Sequence, residues 1–182
     1  MKTDKHIKYP AEYEEEILAV LPAYPELWDL HIHFIITDSA KVPYGTKPTL
    51  GSCFKPRKKR IYTVKLLNKA KPPLEEALFK NLTTEMRRGV IAHELMHVVQ
   101  YNKCNSPKLL KTLASFAFSS KRRMLEREAD KGAIEHGFGK ELLAHALYIR
   151  MIPGYVEERP AINTDYLLPA EIKRCLRQPE QV

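Results

Sequence analysis

The chain has 182 residues, 44% of them hydrophobic, and a formal charge of +8, which suits one globular domain with a sizeable core. No apolar run approaches the roughly 20 residues of a membrane-spanning helix, and the charged first sixteen residues contain no secretory signal. Three widely spaced cysteines, Cys53, Cys104 and Cys175, fit reduced thiols in a cytoplasmic protein and exclude a disulfide framework.

Residues 1–9 read as a polar, loosely held start. Pro10 can open a helix in which Tyr13, Ile17, Leu18 and Leu21 share a face, and Pro22 and Pro25 end it. Leu30–Ile36, LHIHFII, predicts a buried strand. His31 and His33 lie on one side of it and fit a polar sheet face, since no acidic or thiol partner stands near them in sequence. Ala40–Thr49 holds two prolines and a glycine, so it predicts a loop. Leu50–Phe54 and Arg60–Leu67 predict two strands joined by the basic turn KPRKK. Pro72-Pro73 marks a break, and Leu74–Asn81 predicts a short helix.

A long helix follows over Thr83–Tyr101, with Thr83 or Thr84 as its cap and Glu85 in its first turn. Met86, Val90, Ile91, Leu95, Val98 and Val99 recur at helical spacing, so this helix is mostly buried. NKCNSP predicts a loop, and Lys108–Phe118 an apolar helix. Ser119 or Ser120 can cap the next helix, which ends near His136-Gly137. Glu141–Met151 and the amphipathic Pro169–Gln178 predict two more. The sum is an α+β fold: a small antiparallel or mixed sheet packed on a helical core, without repeats or a low-complexity linker.

The charge is unevenly spread. Between Asp38 and Glu75 there is no acidic residue but there are ten Lys and Arg, five of them within Lys55–Arg60. Such a patch attracts nucleic acid, anionic lipid or an acidic polypeptide. It equally serves as a solvated hairpin tip, and it has no interleaved aromatic platform for bases, so nucleic acid is not favoured.

Within the long helix stands His93-Glu94-Leu95-Met96-His97, the H-E-x-x-H pattern. Residues four apart lie on one helical face, so both imidazoles can reach one tetrahedral zinc ion at roughly 2.0–2.1 Å. Glu94 is rotated about 100° from His93, away from the metal but within reach of a water on it, which is where a general base belongs. A zinc site of this type needs a third protein ligand. Glu126 and Asp130, in LEREAD, are again four apart on one helix. One can bind the ion while the other fixes the tautomer of a ligand histidine.

This pairing of H-E-x-x-H with a later E-x-x-A-D resembles the gluzincin zinc peptidases, and within them soluble relatives of the CAAX prenyl protease and the membrane heat-shock metallopeptidases. The resemblance runs over roughly residues 60 to 135, judged from motif order. It implies a zincin-like core, one zinc ion on His93, His97 and Glu126, Glu94 as catalytic base, and Asp130 as partner of a ligand histidine. It also implies that the strand before the zinc helix forms the cleft rim, where an extended peptide pairs with it. That assigns the substrate rim to Arg60, Ile61, Tyr62, Thr63 and Val64. Related enzymes place a Tyr or His to stabilise the oxyanion; the candidates are His145, Tyr148 and Tyr155, with His136 and Tyr166 beside them. The transmembrane helices of the membrane relatives are missing.

The expected function is therefore a cytoplasmic zinc metalloprotease, an endopeptidase hydrolysing peptide bonds of a peptide or protein substrate. The competing expectation is a weak or inactive metallopeptidase-fold module that binds a protein partner or nucleic acid through its basic Lys55–Arg60 rim. A regulator-cleaving peptidase is a third, although that type usually carries Asn where Asp130 stands.

Overall fold

A computed structural model describes residues 6–115 and 118–177. Residues 1–5, 116–117 and 178–182 lie outside them, with the parts of the expected start and of the expected Lys108–Phe118 and Pro169–Gln178 helices that they carry. The fold is α+β with a small four-stranded mixed sheet, as the pattern of elements predicts. The strands are β1 (Ile7–Lys8), β2 (His31–Thr37), β3 (Tyr44–Pro48) and β4 (Ile61–Leu67). Their spatial order is β1-β2-β4-β3, with β1, β2 and β4 mutually parallel and β3 antiparallel to β4. The helices are α1 (Glu14–Val20), α2 (Thr84–Asn102), α3 (Ser106–Ser115), α4 (Ser119–Ala133), α5 (Gly139–Met151), α6 (Tyr155–Glu158), α7 (Ala161–Thr164) and α8 (Pro169–Arg177).

The alternation of β2 and β4 explains their faces. Ile32, Phe34, Tyr62, Val64 and Leu66 are all buried in one apolar core with α1 and α2, while His31 and His33 point to the other, partly exposed side. The β2–β4 register, His31 opposite Ile61 through Thr37 opposite Leu67, holds the length of both strands.

Two expectations about the sheet need correction. The segment expected as a loop, residues 40–49, contains β3, and Leu50–Phe54 is not a strand but a 3-10 turn that runs on into a further turn. The reason lies in where β3 sits. Its ladder to β4 closes with Thr49 N–H on Ile61 O and Leu67 N–H on Pro43 O. By the two-residue alternation of an antiparallel pair, residues 43, 45, 47 and 49 bond to β4, and Tyr44, Thr46 and Pro48 turn their backbone groups outward. Pro48 therefore needs no N–H, and a proline is tolerated there because β3 is an edge strand. Past Thr49 the chain turns, leaving Leu50 80% and Phe54 69% exposed.

Smaller departures follow the same logic. Leu74–Asn81 is mostly turn, with one 3-10 turn at Phe79–Asn81. Helix α3 begins inside the expected NKCNSP loop, since Pro107 suits a first helical turn. Helix α4, by contrast, stops where expected: after one further turn the backbone leaves helical geometry at Gly137, whose left-handed φ of 93° kinks the chain into α5.

Helix α2 is the axis of the molecule. Thr83 Oγ1 caps it by accepting from Met86 N–H (3.3 Å), and every residue from Gly89 to Val99 is buried. Gly89 permits the close α2–α5 crossing: a Cβ there would stand 2.5 Å from the backbone carbon of Glu141. At the other end the Arg60 guanidinium, 1% exposed, donates to Cys104 O (2.6 Å) and Ser106 Oγ (3.3 Å) and so satisfies groups at the helix C-terminus.

Candidate metal centre and cleft

α2 and α4 cross so that His93, His97 and Glu126, all buried, converge. The Nε2 atoms of His93 and His97 are 3.1 Å apart, and each lies near Glu126 Oε2, at 3.1 and 3.2 Å. Ligands of a tetrahedral zinc at roughly 2.0–2.1 Å stand about 3.3–3.4 Å from one another, so the three atoms are within a few tenths of an ångström of that spacing. Two imidazole nitrogens and a carboxylate oxygen aimed at one point repel unless a proton or a cation lies among them. The group can hold a metal ion, and its nitrogen and oxygen donors suit a divalent transition metal.

The far side of each imidazole is also held. Asp130 Oδ1 accepts from His93 Nδ1 (2.8 Å), and Gln100 Oε1 accepts from His97 Nδ1 (2.9 Å). Both histidines thereby present Nε2 to the centre. Asp130 Oδ2 accepts the Leu167 backbone N–H (2.7 Å), and Gln100 Nε2 donates to Leu125 O (2.8 Å), so each support is anchored to another segment. Burial alone pushes His93 and His97 down, but the adjoining carboxylates, Asp130 and Glu126 for His93 and Glu126 for His97, hold both above the ordinary imidazole range. Burial likewise pushes Glu126 up, and the facing imidazoles bring it far below the usual carboxylate range. The cluster therefore favours holding a proton, and a metal ion would displace that proton.

Glu94 points away from this triangle toward β3, where Thr46 Oγ1 donates to its Oε2 (2.7 Å). Both line a cleft of about 680 Å³ whose walls are β3 on one side and α5 with residues 155–162 on the other. Across it the Tyr44 hydroxyl and His145 Nε2 are hydrogen-bonded. Burial pushes His145 down to about 3, helped by the neighbouring His93 and Arg150, so it is neutral. Burial also raises the Tyr44 hydroxyl well above its ordinary value, with Tyr155 and Glu94 acting in the same direction.

The structure thus brings His93, Glu94, His97, Glu126 and Asp130 together, and of the oxyanion candidates it puts His145, Tyr155 and Tyr166 on the cleft. Tyr148 is turned out of it, donating to Glu76 O (3.1 Å), and His136 stacks on Tyr24. The expected rim is wrong. Arg60, Ile61, Tyr62, Thr63 and Val64 lie on or beside β4, which is paired on both edges, so it has no free backbone groups to offer. The edge strand that lines the cleft is β3. Arg60 also leaves the basic rim, since it is buried at the end of α2, while Lys55, Arg57, Lys58 and Lys59 stay exposed.

Tyr44, Thr46 and Gln100 were missed by sequence reasoning. Gln100 stands three residues after His97 and is within reach of helical spacing. Tyr44 and Thr46 sit two apart in YGTKP, and only that alternation marks them. No helix among the described residues is long and apolar enough to cross a membrane. Compared with known protein families, curated proteins and solved structures, the chain shows no significant match.

Proposed function

We propose that this chain is a zinc-dependent peptidase of the gluzincin type. The observation that carries the reading is the convergence of His93 Nε2, His97 Nε2 and Glu126 Oε2 at 3.1–3.2 Å beside a carboxylate, Glu94, that is excluded from the cluster and held toward the cleft. A zinc ion on these three atoms would supply Lewis acidity, lowering the pKa of a coordinated water and polarising the substrate carbonyl.

The rest falls to the chain's own groups. Glu94 accepts the proton of the attacking water and returns it to the leaving amine. Thr46 fixes the Glu94 carboxylate by donating to one oxygen and leaves the other for that proton. With neutral His145 in its Nε2–H form, the ring donates to the Tyr44 oxygen and frees the Tyr44 hydroxyl hydrogen to meet negative charge developing on the carbonyl oxygen. Tyr44 is the oxyanion donor in this reading, and His145 is its positioning residue. The substrate backbone lies along β3, meeting the outward N–H and C=O groups of Tyr44 and Thr46. Pro48 offers only its carbonyl, so pairing fades in that direction.

Purified protein is expected to contain one zinc per chain, and Glu94→Gln to retain it while losing peptide cleavage. Cleavage by Glu94→Gln at the wild-type rate, or a wild-type protein that takes up no zinc, would overturn the assignment.

A further inference from the structure

The cleft is electrically lopsided. Arg150, on α5, and Arg159, just past α6, line it together with Tyr44, Tyr155 and Ile162. Among the described residues no carboxylate pairs with either guanidinium. Arg150 donates to neutral partners only, Asn163 Oδ1 (3.0 Å), Ala146 O (2.8 Å) and Ile162 O (2.8 Å), so no carboxylate is bonded to it, and Asp130 acts on its charge only from a distance. Arg159 is anchored through Nη2 to Lys41 O (2.8 Å), shortly before β3 begins. It lies close enough to Tyr44 and Tyr155 to oppose the rise that burial gives both hydroxyls.

The acidic groups of the cleft are committed elsewhere. Glu126 faces the two imidazoles, Asp130 holds His93 and the Leu167 N–H, Glu94 meets Thr46, and Asp165 pairs with Arg122 at 2.5 Å. A fixed cation without a carboxylate bonded to it in a partly dry cleft favours an anionic ligand, and a guanidinium favours a planar carboxylate that it can grip with two N–H groups.

Direction along the cleft follows from β3. An occupant that pairs with this edge in the commoner antiparallel sense has its C-terminal half over Val42–Tyr44, the end where Arg159 is anchored. We propose that Arg159, with Arg150 behind it, forms a subsite for a carboxylate on the C-terminal side of the scissile bond. The carboxylate is either the substrate's own terminus or an acidic side chain. This rests on the peptidase reading above.

The test uses zinc-loaded full-length protein and quenched fluorescent peptides in matched sets: free C-terminus against C-terminal amide, and, in amidated peptides, Glu against Gln after the cleaved bond. The wild type is expected to favour the carboxylate member by roughly 10–100-fold in kcat/KM, mainly through KM, as suits one charge-assisted bidentate contact. Preference for the free terminus alone identifies a chain end, and preference for Glu alone identifies a side chain. Arg159→Gln brings that ratio toward one, and Arg159→Lys keeps part of it; thermal melts of both variants verify folding. A wild type that cleaves all members equally overturns the subsite and leaves the peptidase standing. An unchanged ratio in Arg159→Gln also overturns it. A zinc-loaded wild type that cleaves nothing overturns the peptidase reading and the subsite together.

Discussion

Replacing Asp130 by Asn isolates the geometric control of the metal centre. Asp130 is 2% exposed and bridges two donors, His93 Nδ1 at 2.8 Å and Leu167 N at 2.7 Å. The Leu167 amide can only donate, so the single carbonyl oxygen of Asn must serve it. The Asn NH2 then faces His93 Nδ1, which can satisfy it only as an acceptor. That forces the proton onto Nε2, the atom aimed at the centre, where it can still bond Glu126 Oε2 but no longer bind a metal. Losing such a supporting contact costs 10–100-fold in metal affinity as a rule. Because the tautomer itself is reversed here, the upper end applies, roughly 100-fold or about 2.7 kcal/mol. Stability of the metal-free protein should fall far less, by about 1–2 kcal/mol, since both hydrogen bonds survive with one charge lost. Competitive zinc titration against a chromophoric chelator, beside urea melts in chelator, separates the two effects. Wild-type zinc affinity in a folded Asp130→Asn protein would refute the reasoning.

Three further expectations bear on other parts of the molecule. Thr46→Val removes the donor that orients Glu94, so kcat should drop about tenfold while zinc content holds; steady-state kinetics with metal analysis checks this. Gly89→Ala drives a methyl into the Glu141 backbone and should destabilise by about 3 kcal/mol or more, read as a lower urea midpoint. His145 titrates near 3 in the folded protein against an ordinary 6.5, so between those values the unfolded chain binds a proton that the native chain refuses. Stability should therefore fall as pH drops below 6.5, by up to about 1.4 kcal/mol per unit from this group. Melts at stepped pH should show a flatter slope in His145→Gln than in the wild type. Equal slopes would count against a buried neutral imidazole.

How far the sequence could lead depended on whether partners are local. His93 and His97, or Glu126 and Asp130, are neighbours by helical spacing alone, so each pair is readable before anything is folded. That α2 and α4 should cross at those pairs is suggested only by the chemistry they share. β3 was illegible because its Gly45 and Pro48 argue against a strand unless one knows that the strand has an open side. With β3 misread, Tyr44 and Thr46 fell into a loop, and the rim was assigned to β4, whose apolar content suits the interior it occupies. Arg60 misled in the opposite sense. It belongs by sequence to an exposed cationic run, yet packing draws it to carbonyls about forty residues on.

The turn that carries α4 into α5 without a loop has a mechanical consequence. Glu126 and His145 sit on two helices that meet, with only a short kink at Gly137 between them. Over so short a joint, a shift of the carboxylate toward the imidazoles should carry to the opposite cleft wall, and a peptide pressing on that wall should tug at the carboxylate. Loading of the centre and gripping of a substrate should thus sense one another.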